Sequence, residues 1–148
     1  MTKMRPNAVV LLACVLTLSV VTWSQDTPHA HGPLLHVGTN PSSCTGPFDG
    51  KFNGNVRVHF YADQKTLAIN VEVHGAKKKT DYAVEIRCVG YLGTVTTDKH
   101  GDGVIAFSVP INDPPKRFYI NVAIPTGGTG SGGYGDTFIA GPFDLSAD

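Results

Sequence analysis

From residue 56 onward, apolar and polar residues alternate with a period of two, the spacing of strands buried on one face. Val56, Val58 and Phe60 share one face, and Arg57, His59 and Tyr61 share the other. Leu67, Ile69, Val71 and Val73 repeat the pattern beyond Asp63-Gln64. This predicts a hairpin turning at Asp63-Gln64, with His59 opposite residues near Asn70. Tyr82, Val84, Ile86 and Cys88 then alternate with Ala83, Glu85 and Arg87. Shorter strands are expected around 91–96 and 104–109, a regular one through Phe118, Ile120, Val122 and Ile124, and a last one near 137–143. No segment after residue 24 carries a 3.6-residue apolar stripe, and Gly and Pro interrupt the chain too often for long helices. The expectation is an all-β fold, an antiparallel Greek-key β-sandwich of seven to eight strands.

The first residues follow a different logic. Lys3 and Arg5 precede an apolar run from Ala8 to Val21, and Thr22-Trp23-Ser24 places small residues at a cleavage position before Gln25. This is the layout of a secretory signal peptide over 1–24. It predicts an extracellular protein, or a periplasmic one in a bacterial cell, with no membrane span in the mature chain. Leu11-Leu12-Ala13-Cys14 resembles a bacterial lipobox and offers an alternative, a lipid anchor at Cys14. Residues 25–50 then read as an N-terminal arm and first strand region, and 51–148 as the β-sandwich body of the same domain.

Removing the leader changes the composition. The whole chain of 148 residues has a formal net charge of zero, but Lys3 and Arg5 leave with the leader, so ten bases then face twelve acids. That balance excludes a polybasic nucleic-acid binder. A hydrophobic content of 41% excludes a disordered chain. Cys14 also leaves, and Cys44 and Cys88 remain as an even pair, which in an oxidising compartment predicts one disulfide.

Two segments carry resemblances. Gly75 to Ile86, with Tyr82 entering a strand, resembles the stretch before strand F in fibronectin type III and related immunoglobulin-like sandwiches. The resemblance implies a tyrosine corner, in which the Tyr82 hydroxyl bonds back to preceding backbone. Lys77-Lys78-Lys79 departs from the Leu-x-Pro usual there. Leu92 to Val104 is similar to a hairpin of copper/zinc superoxide dismutase, but the histidines of that metal site are missing from the corresponding positions. This second resemblance implies fold, not activity.

Candidate chemistry is sparse. His29-Ala30-His31 followed by His36 is the densest group of potential ligands, and imidazoles at a spacing of two fall on one side of an extended chain. It supports an alternative function, extracellular Cu or Zn binding through His29, His31 and His36. His59 and His74 lie opposite the apolar rows and read as surface residues. Asp98-Lys99-His100-Gly101-Asp102-Gly103 has acids at positions one and five of a calcium loop, but it has His at three and Val109 at twelve, so it reads as a hairpin turn.

Residues 127–135 hold six glycines in nine positions. They lack the Lys-Ser/Thr of a phosphate loop, and Thr129 stands where a serine-hydrolase elbow requires Gly. This stretch reads as a long loop at the end of the sandwich, with Gly128, Ser131, Tyr134 and Asp136 as candidate binding residues. Gly46-Pro47-Phe48-Asp49 recurs as Gly141-Pro142-Phe143-Asp144, which predicts two similar turns. No nucleophile, base and oxyanion donor assemble from motifs. The expected function is therefore a secreted, non-catalytic binding or structural module without a cofactor, whose partner is an extracellular protein or glycan.

Overall fold

The computed structural model describes residues 29–39, 41–61, 64–113, 115–125 and 135–145. The expected leader, Cys14, Gly128, Ser131 and Tyr134 lie outside these residues. The described chain is all-β: β1 (His29–Gly38), β2 (Lys51–Tyr61), β3 (Thr66–Val73), β4 (Asp81–Ile86), β5 (Gly90–Thr96), β6 (Gly103–Pro110), β7 (Arg117–Ile124) and β8 (Gly135–Asp144).

The eight strands join in one antiparallel sheet of order β5-β4-β7-β8-β1-β2-β3-β6. The expected antiparallel all-β class is there, but the strands form one nearly closed, barrel-like sheet rather than two separate layers. The end strands β5 and β6 are joined by a tight turn and approach each other along the seam. There Phe107 packs directly over Gly93, where an added Cβ would lie 2.5 Å from the ring.

The alternation of the sequence becomes inside and outside of this barrel. Val56, Val58, Leu67, Ile69, Val71, Val73, Tyr82, Val84, Ile120, Val122 and Phe138 form one buried cluster with Leu34. Each fully buried aliphatic or aromatic side chain of this kind contributes about 1.5–3 kcal/mol. In the β2–β3 hairpin, Arg57 pairs with Asn70 and His59 with Ala68. His59 is therefore two residues away from the partner expected for it.

β1 is a central strand, paired with β2 on one side and β8 on the other. Its register shifts between Pro33 and Leu35, an irregularity of the kind at which proline is tolerated in a sheet. Gly32 lies against the Phe143 ring and leaves room for it.

The connection between β1 and β2 is fastened to the outer surface of β4 and β7. Cys44 and Cys88 form the expected disulfide, with Cα atoms 5.7 Å apart. Beside it, the buried Arg87 donates from Nε to the Ser43 carbonyl at 2.7 Å, from Nη2 to the Pro41 carbonyl and from Nη1 to Asn121 Oδ1 at 3.2 Å. Its guanidinium also lies over the Phe48 ring. Burial lowers the pKa of this group, yet arginine stays cationic. Both copies of the Gly-Pro-Phe-Asp repeat contain a cis Gly–Pro bond, and both meet Tyr119. The Phe48 ring stands edge-on to the Tyr119 ring at 5.0 Å, and Gly141 abuts the same ring.

Candidate functional site

A depression of about 540 Å³ lies on the outside of β1, β2, β3 and β6. The sheet register builds it in rows. His29 faces His59, which faces Ala68, which faces Ser108. One row further, His31 faces Arg57, which faces Asn70, which faces Ala106. Directly opposed residues of an antiparallel pair point to the same side. Large nitrogen-bearing side chains on β1 and β2 thus form a wall beside a strip of small or amide side chains on β3 and β6.

The wall is partly fixed by ring packing. The His59 ring stacks on Tyr61 at 4.2 Å and lies 6.3 Å from His29 at a shallow angle. His59 Nε2 is buried and has no hydrogen-bond partner among the described residues. A buried polar atom of that kind normally finds a partner, such as an internal water. The depression is lined by His29, His31, Arg57 and His59, and by no acidic residue. It therefore offers N–H donors and one permanent positive charge above an apolar floor.

The predicted ligand set is divided by this arrangement. His29 and His31 line the depression. His36 sits near the other end of β1, on the order of 23 Å along an extended strand from His29. No group of three or more His, Cys, Asp or Glu side chains suited to a metal ion occurs among the described residues.

His36 instead meets Asp136, a residue that the sequence singled out for a different reason. His36 Nε2 is 2.5 Å from Asp136 Oδ1, and the Tyr82 hydroxyl donates to Asp136 Oδ2 at 2.7 Å. The same hydroxyl accepts the Lys77 amide at 3.0 Å, so the backbone contact expected of a tyrosine corner is formed. Burial, and then the bond to Asp136, push the Tyr82 hydroxyl above the ordinary tyrosine range. The ring of His36 packs on Phe138. This chain of contacts links β1, β8 and β4.

Other polar clusters are accounted for locally. His74 contacts Glu72 at 3.1 Å and Asp102 at 3.4 Å. Asp98, the first residue of the calcium-like stretch, turns its carboxylate onto its own loop. It accepts the Asp102 amide at 3.0 Å and the His100 amide at 2.7 Å, and these bonds lower its pKa. Oδ1 of Asp98 thus serves the amides of the hairpin turn.

Arg57, His59 and Asn70 also line the depression; the sequence reads His59 as a surface residue and gives Arg57 and Asn70 no role. Their alternation on one face was visible. Small residues at 68 and 106, combined with the correct hairpin register, were the signal that could have joined them. Comparison with protein-family models, with curated proteins and with solved structures gave no match.

Proposed function

We propose that the protein is an exported binding module whose outer depression captures a small anionic ligand. One observation carries this reading. His29, His31, Arg57 and His59 converge on an alanine-floored cavity with no carboxylate among its lining residues. Arginine is suited to planar oxyanions because its N–H groups form a rigid fork. The imidazoles add further donors, and Ala68 and Ala106 leave space for an apolar body. The Cys44–Cys88 disulfide supports export to an oxidising compartment, and no helix among the described residues is long and apolar enough to cross a membrane.

Titration calorimetry with benzoate, sulfate and neutral glucose tests the proposal. Both anions should bind saturably and glucose should not. Arg57→Ala should weaken the anions about tenfold or more, as expected for loss of a charge-assisted bond, with an unchanged melting temperature. No saturable heat with either anion, or equal affinity in Arg57→Ala, would overturn it.

A further inference from the structure

The register that builds the wall also spaces it. His29 and His59 are direct cross-strand partners, and His31 and Arg57 are the next same-face pair along β1 and β2. Two same-face positions on a strand are about 6.8 Å apart. The wall therefore holds two donor pairs, one after the other along the strand direction, beside one continuous strip of Ala68, Asn70 and Ala106.

A ligand with a single acidic group can engage only one pair at a time. We infer that the depression takes a dianion whose acidic groups stand about 7 Å apart on a compact body, lying parallel to the strands. This inference rests on the anion-binding reading and narrows it. One acidic group meets Arg57 and His31, with the Asn70 amide of the opposed strand available as a further donor. The other meets His29 and His59, the direct cross-strand pair of the first row. The apolar connecting atoms lie over the two alanines. Dicarboxylates and doubly sulfated sugars share this chemistry.

The test is calorimetry on the full chain with hexanoate, succinate, adipate, suberate and a disaccharide sulfated on both rings. Adipate, whose carboxyl groups extend to about the required separation, should bind about tenfold tighter than hexanoate. Succinate is too short and suberate too long, so both should fall below adipate. The sulfated disaccharide separates the sources: tighter binding than adipate identifies a glycan, and weaker binding a small dicarboxylate. The double variant His29→Ala/His59→Ala should lower adipate to the level of hexanoate while hexanoate binding persists. His59→Gln, which keeps a donor and an acceptor, guards against a folding defect and should retain part of the preference. Equal binding of hexanoate and adipate would overturn the dianion inference and leave the single-anion reading standing. Absence of binding by every probe would remove both.

Discussion

Tyr82 shows how one side chain ties packing to polar chemistry. Its ring is fully buried against Phe138, while its hydroxyl reaches Asp136 and the Lys77 amide. Tyr82→Phe keeps the ring and deletes both bonds, which should cost about 1–3 kcal/mol in a urea titration. The same residue sets an alkaline limit. Its folded pKa is raised, so its contribution is complete below the unfolded value of about 10 and is lost as pH rises beyond it. Stability of the wild type should fall more steeply than that of Tyr82→Phe between pH 9 and pH 11 (roughly spanning the tyrosine range). Parallel curves would contradict this. Asp98 works with the opposite sign. Its folded pKa is lowered, so its contribution holds above about 3.9 and is lost as pH falls through the folded value. Asp98→Ala should speed hydrogen exchange at the His100 and Asp102 amides, whereas Asp98→Asn, which retains an acceptor, should do so less.

Among the elements, β1 was the least legible in sequence. His29-Ala30-His31-Gly32-Pro33 contains a proline and a glycine and has no clean apolar alternation, so residues 25–50 read only as an arm and first strand region without strand bounds. It becomes a strand because β2 and β8 pair with it from both sides. β2 and β3 were legible because each buries one face against a common core, and β4 and β7 because their apolar rows alternate, although β7 is buried on both faces from Phe118 to Ala123. The alternation carries the strand pattern to Cys88, but Cys88 lies in the turn after β4 with a φ of 59°. The connection between β1 and β2 depends on Arg87 as much as on the disulfide. Arg87→Met should cost about 2–4 kcal/mol, because two backbone carbonyls and the Asn121 amide oxygen lose a charged donor together. A loss below about 0.5 kcal/mol, the ordinary range for surface sites, would show that the guanidinium does not anchor the segment.

At the scale of the molecule, the barrel depends on pairings that local pattern cannot reveal. β1 with β8, β3 with β6 and β4 with β7 join segments far apart in the chain. The period of two reports that a face is buried but not which strand lies beside it. The candidate site was hidden for the same reason. Each of its rows takes residues from four strands, so His29 and His31 were legible as chemistry while their neighbours Arg57, His59 and Ala68 were not. The disulfide spans 44 positions, and the chain-entropy account values a loop of that size at about 3–4 kcal/mol. The Cys44→Ala/Cys88→Ala pair should lose that much stability, yet anion affinity should be unchanged, since neither cysteine lines the depression.

The most direct test of the central claim is an amide NMR titration of the wild-type chain with adipate. The account predicts saturable shifts centred on His29, His31, Arg57, His59 and Asn70, with little change around His36, Tyr82 and Asp136 at the far end of the barrel. Shifts centred instead on that far end, or no saturable shifts at the five residues, would contradict it.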